Sequence, residues 1–384
     1  MMSPSDHSSP SASVGLPPPV PEPKTAPAAF ADDEVFRKST LGAGRWTAVI
    51  GMLLVLAALL ALLCLQFGTQ FVGLNEMARI FARMVEATSD RRSESDVMAT
   101  ILLQVRLPRI FLGFLVGGCL AAVGVALQAL LRNPLADPYV LGVSSGAALG
   151  VSVAVLFGVG TTVMAMSALP LCGFAGSVVA LALMYRMAAS YDRLPIHSVL
   201  LAGVILNAIF SALIMFITSI MDPNRSFGMM IWLMGSLMAP AYPTLLVFSL
   251  YAAVCLTLLF GQVNVLNVMA YGEEPARSLG VDTELAKRRI LLFSALMTGA
   301  VVSVSGMVGF IGMVIPHAVR LMVGADHRLV MPASALIGGT FLMVADTFAR
   351  TVVSPSELPV GIMTALVGGP FFVYLLAWRK DRMS

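Results

Sequence analysis

Apolar runs of about 20 residues, repeated along most of the chain, decide what this sequence can fold into. They cover Trp46–Phe67, Ile110–Leu131, Tyr139–Val159, Met166–Tyr185, Ser198–Ile220, Tyr242–Phe260, Ile290–Val323, Met331–Ala349 and Val360–Trp378. A run of this length carries a helix across the ~30 Å hydrocarbon layer, where every backbone N–H and C=O must be satisfied inside the protein. Ile290–Val323 is too long for one crossing, since its 34 residues would make a helix of about 50 Å. Gly306, Gly309, Gly312 and Pro316 offer places to break it, and a split near Val308 to Phe310 gives ten spans. With ten spans and the N-terminus inside, Arg132, Arg186, Arg193, Lys287–Arg289, Arg328, Arg379, Lys380 and Arg382 share the cytoplasmic side. With nine, the C-terminal basic cluster would lie outside. The expected fold class is an all-α polytopic membrane protein with ten transmembrane helices, both termini cytoplasmic.

Composition agrees: of 384 residues, 58% are hydrophobic and 12% charged, with mean hydropathy +0.88. The net charge of +3 is small, and basic residues gathered between spans report orientation and do not point to nucleic acid. Residues 1–45 are of another kind, with eight prolines before Phe30 among Ser and Ala, and read as a disordered cytoplasmic tail ahead of a membrane domain at 46–380. The first apolar stretch starts only at Trp46 and is too long for a secretory h-region.

Chemistry-bearing motifs are missing. The sequence has no GxxxxGK[ST], HExxH or GxSxG and no paired carboxylates within a span, so no catalytic residue, metal site or cofactor is expected. Cys64, Cys119, Cys172 and Cys255 stand singly in apolar segments and read as small buried hydrophobes. Asp346, four residues before Arg350, reads as its i,i+4 partner and not as a proton relay. A transporter without an ion or nucleotide site must take its energy from another subunit.

The charged run Tyr271–Arg289, within a cytoplasmic loop at 261–289, is where such a subunit could bind. Gly272 opens it, Glu273 and Glu274 suit a helix N-terminus, Arg277 follows within a turn, and Gly280 can end the helix. A compact docking helix and a solvated loop obeying the positive-inside bias both remain open. On the opposite face, Gly68–Val105 shows a helical pattern through Met77, Ile80, Phe81 and Met84, and Asp222–Pro240 carries a methionine cluster with Trp232.

The segment RLPRIFLGFLVGGCLAAVGVALQALLRNPLADPYVLGVSSGAALG at Arg106–Gly150, with GEEPARSLGVD, GFIGMVIPHAVRLMVGADHR and ELPVGIMTALVGGPFFVYLL, resembles the permease subunits of bacterial ABC importers for iron chelates, haem and vitamin B12. The resemblance covers residues 46–380. It implies a type II ABC importer-like permease in the bacterial inner membrane that works as a homodimer. Its partners would be two copies of a P-loop ATPase subunit, a periplasmic or lipid-anchored substrate-binding protein and the membrane lipid.

By the same resemblance, Gly272, Glu273, Glu274, Pro275, Ala276, Arg277, Leu279 and Gly280 look like the ATPase-coupling helix. Arg106, Arg109 and Arg350 look like external arginines facing acidic residues of the binding protein. Ile196, His197 and Leu201, in the connection Leu194–Leu201, look like the cytoplasmic gate, although relatives often carry small hydroxyl residues at the first two positions. Iron chelate, as ferric siderophore or haem, ranks first as cargo and cobalamin second. A substrate-gated channel or receptor without an ATPase is the reading of a different class.

Overall fold

The computed structural model describes residues 42–68, 71–86, 94–159, 168–189, 194–354 and 356–381. Residues 1–41 of the tail expected at 1–45, together with Arg193 and Arg382, lie outside the described residues, and Ala43–Arg45 belong to the first helix. Every regular element among the described residues is helical. In chain order these are α1 (Ala43–Gln66), α2 (Leu74–Glu86), α3 (Glu94–Thr100), α4 (Leu107–Leu130), α5 (Val143–Leu156), α6 (Ala168–Ala188), α7 (Ile196–Ile220), α8 (Pro223–Leu233), α9 (Tyr242–Phe260), α10 (Val263–Met269), α11 (Glu273–Ser278), α12 (Thr283–Ser305), α13 (Ile311–Val323), α14 (His327–Thr351) and α15 (Val360–Asp381).

Seven helical stretches among the described residues are long and apolar enough to cross a membrane, and Val143–Leu156, Ile311–Val323 and Val360–Val373 are shorter apolar helices. The sum is compatible with ten crossings. The long run divides among its glycines: α12 ends at Ser305 with Gly306 at φ 65° as its cap, and α13 begins at Ile311.

α4 forms the centre: 83% of the most apolar part of Val97–Leu130 is buried, against 22% for α1 and α6. α14, α12, α13 and α9 pack around it. Absent side chains allow that approach: a Cβ on Gly117 would strike the Gly338 carbonyl of α14, and one on Gly124 the Gly312 carbonyl of α13. With no hydrophobic drive between helices in lipid, such backbone contact supplies the packing energy.

α5 and α13 are half-length. Their 14 and 13 residues reach only about 20 Å, so each starts well inside the protein. Both start from a left-handed cap, Gly142 at φ 77° and Phe310 at φ 70°. For Phe310 that conformation costs on the order of 1 kcal/mol, and its side chain lies against Gly368 of α15. The two breaks are joined through Tyr139, whose hydroxyl donates to Val308 O (2.9 Å) and accepts from Val308 N–H (2.7 Å).

α2 bears out the helical pattern read in Gly68–Val105. Met77 and Ile80 are buried in a small cluster with Cys64, Leu65, Val72, Leu102, Ile110 and Met343, while the side chains of Phe81 and Met84 lie outside the described residues. Pro108 does not begin a helix afresh. The chain instead runs from α3 through a π-helical turn, Ile101–Arg106, directly into α4. A wider turn is one way to seat a ring that would clash with the carbonyl four residues back and that offers no N–H. His327 is the buried first residue of α14, with Nδ1 2.6 Å from Asn267 Oδ1.

Candidate functional site

The charged run after α10 folds as a compact helix. Gly272, at φ 126°, opens α11, and Glu273 and Glu274 fill its first turn, where the macrodipole favours anions. Gly280, at φ 84°, turns the chain away, and the N–H of Val281 donates to Ala276 O at 3.1 Å, satisfying a terminal carbonyl. Ala276 is fully buried beneath, while Leu279 and Tyr271 stand 74% and 85% exposed at the two ends. Large uncovered apolar side chains beside so much charge are what a protein contact uses.

Ion pairs hold α11 on the first turns of α12. Lys287 Nζ, itself buried, lies 2.8 Å from Glu284 Oε1 and 3.3 Å from Glu273 Oε2. Arg277 Nη2 is 3.3 Å from Glu284 and 3.8 Å from Glu273, and its Nε donates to Thr283 Oγ1 at 2.8 Å. Exposed pairs of this kind contribute little singly, but a network around a buried lysine fixes orientation.

A cavity of about 540 Å³ opens beside this network. Leu131, Arg132, Pro195, Ile196 and His197 line it together with Glu273, Glu274, Arg277, Glu284 and Lys287. Two residue sets read separately from sequence, at 196–197 and 273–277, therefore face one space. Leu201 does not line it and is 62% exposed further along α7. Ile196, His197 and Leu201 also belong to the first turns of α7 and not to a connection, which shortens to Leu194 and Pro195. Glu284, which the sequence reading passed over, accepts from the Leu194 N–H through Oε2 at 3.0 Å.

The three arginines expected on the outer surface do not present their charges. Arg106, Arg109 and Arg350 are only 2%, 8% and 5% exposed. Arg109 forks onto Asp346 (Nε–Oδ2 3.0 Å, Nη2–Oδ1 3.0 Å) and reaches Glu357 Oε2 with Nη1 at 2.8 Å. Arg350 Nε lies 3.2 Å from Asp346 Oδ2, the i,i+4 pair read from sequence. Arg106 Nη1 donates to the carbonyls of Leu65 and Gln66 (2.9 and 3.2 Å), capping the end of α1. The physical reason is the carboxylate: a buried Asp346 must be paired, and two guanidinium groups do it, Arg109 by a fork and Arg350 by its charge at 3.2 Å. No group of three or more His, Cys, Asp or Glu able to hold a metal occurs among the described residues.

Comparison with known proteins covers most of the chain. The FecCD transport family matches residues 48–378. The hemin transport system permease protein HmuU of Yersinia pestis is 38% identical over 338 residues, covering 88% of this chain and 97% of HmuU. The cobalamin import system permease protein BtuC of Halobacterium salinarum is 41% identical over 279 residues, 72% of this chain and 73% of that protein. Among solved structures, a metal-chelate type ABC transporter in an inward-facing conformation superposes with a TM-score of 0.72 at 29% identity, covering 86% of this chain and 99% of that one. With the half-length helices, the compact charged helix and the glycine-packed centre in place, the chain belongs to the FecCD transport family.

Proposed function

We propose that this chain is the permease subunit of an ATP-driven importer that carries an iron chelate, as ferric siderophore or haem, across the bacterial inner membrane. Two copies enclose one path, and two P-loop ATPase subunits receive α11 of each copy. A binding protein, periplasmic or lipid-anchored, delivers cargo from the other side, and both termini are cytoplasmic. The observation that carries the reading is α11 itself, seated on α12 by Lys287 and Arg277, with Tyr271 and Leu279 uncovered and residues 196–197 across one cavity.

In this reading ATP changes the separation of the two α11 helices, and the permease passes between states that differ at the start of α7. ATP hydrolysis belongs to the partner, since no P-loop motif occurs in the sequence. In this reading the binding protein docks on the face that holds Arg106, Arg109 and Arg350 with Asp346 and Glu357, of which Glu357 is half exposed. The 41% identity to the cobalamin permease supports cobalamin as a second cargo.

Co-expression with a P-loop ATPase subunit, reconstitution in proteoliposomes and uptake of haem, a ferric siderophore and cobalamin test the proposal. ATP-dependent uptake of one of the first two is expected. Uptake of cobalamin alone would reassign the cargo, and a chain that does not bind the ATPase, or conducts cargo without ATP, would refute the importer reading.

A further inference from the structure

We infer that Glu284 is a positioning residue that ties movement of α11 to the start of α7, using its two carboxylate oxygens as separate points of attachment. The inference rests on reading α11 as the ATPase contact. Oε1 faces Lys287 Nζ at 2.8 Å and Arg277 Nη2 at 3.3 Å, so one oxygen is held by cations from α12 and α11. Oε2 accepts from the backbone N–H of Leu194 at 3.0 Å, 90 positions away in the chain.

Leu194 is well placed for this role. It is 1% exposed, and the next residue, Pro195, has no N–H to donate, so Leu194 supplies the last backbone donor before α7. α7 starts without a side-chain cap at Pro195, which leaves the Glu284 contact as a direct hold on the approach to its first turn. A carboxylate accepting from a backbone N–H while bound to guanidinium and ammonium groups makes short, strong and directional contacts. A displacement of Arg277 with α11 would then pull on Leu194 through one rigid planar group.

The alternative is that Glu284 only stabilises the first turn of α12, where an acid suits the macrodipole. The two roles make different demands. A helix-terminal anion can be Asp as well as Glu; a bridge between Leu194 and the cations needs the full length of Glu.

The test uses the complete complex of permease and ATPase in proteoliposomes, spin-labelled at position 197 of both copies. The change in label separation between nucleotide-free and ATP–vanadate states is read beside phosphate release from the same sample. Glu284→Asp should hydrolyse ATP yet lower the fraction of complexes showing the ATP-dependent separation by about tenfold, the scale of one lost charge-assisted hydrogen bond. Glu284→Ala should show the same split.

A Glu284→Asp complex with the wild-type separation change overturns the inference, and so does hydrolysis falling in proportion to that change. If the labels of the wild-type complex ignore nucleotide altogether, it is the reading of α11 that fails, before Glu284 is in question.

Discussion

Substitution of Asp346 by Asn probes the buried ion cluster most directly. The carboxylate is 1% exposed and neutralises Arg350 and half of the Arg109 fork at 3.0–3.2 Å. Asn keeps the shape and one acceptor oxygen but not the charge, so Arg350 loses its counter-charge and keeps the Thr347 hydroxyl at 3.3 Å, while Arg109 depends on Glu357 for its charge partner. Breaking a buried pair from one side costs about 3–5 kcal/mol, because the remaining charge is stranded. The Glu357 end of the same arginine is 49% exposed and screened by solvent, so Glu357→Gln should cost no more than about 1 kcal/mol. Thermal unfolding of both variants in lipid nanodiscs should therefore separate them clearly, with Asp346→Asn melting several degrees lower. Changing Asp346 to Leu together with Arg350 to Met should recover part of the loss, since the stranded charge is then removed too. Equal melting temperatures for Asp346→Asn and Glu357→Gln would refute the reasoning.

Three further outcomes can be checked. Gly124→Leu, which would drive its side chain into the Gly312 carbonyl, should cost about 1–3 kcal/mol or prevent assembly, whereas Gly309→Ala, with open space around its Cβ position, should melt within about 0.5 kcal/mol of wild type by the same assay. Arg277→Glu places a third carboxylate against Glu273 and Glu284 and should reduce ATPase binding in pull-down while leaving membrane insertion intact; unchanged ATP-driven uptake would count against α11 as the coupling helix. Burial lifts the Asp137 carboxyl to about 6 against the lowering effect of the Tyr139 N–H, so the folded state binds the proton more tightly than the unfolded one. Stability should then rise as pH falls from about 6 toward 4, and Asp137→Asn, which still accepts from Tyr139, should lose that dependence and exceed wild type at neutral pH in unfolding experiments.

Local signals carried over well from sequence to fold. The break in Ile290–Val323 and the ends of α11 could be read because Gly306, Gly272 and Gly280 occupy backbone conformations that other residues rarely adopt, a property each residue carries by itself. The environment of the arginines could not be read that way. Asp346 and Glu357 lie 237 and 248 positions from Arg109, and nothing near RLPR reports a carboxylate that arrives with α14 and its following loop. One signal was present in Asp346: an acid within a span needs full pairing, and a single i,i+4 arginine meets only part of that need. Glu284 escaped notice for a similar reason. In sequence it is an ordinary first-turn acid of α12, and only the fold brings the Leu194 amide to its second oxygen.

The short reach of α5 and α13 bears on how the chain enters the membrane during synthesis. Stretches of 13 or 14 apolar residues fall short of the roughly 20 that mark a self-sufficient insertion signal. Neither packs mainly on the long helix that directly precedes it: α5 lies against α6, α7 and α12, and α13 against α4 and α14. α5 therefore finds its partners only after α6, α7 and α12 have been made, whereas α13 meets an α4 that is already in place. A nascent chain stopped between Ser305 and Phe310 would thus hold α5 among its partners while α4 still lacked α13 and α14, and α13 placed alone behind a neutral spacer would remain in the aqueous phase.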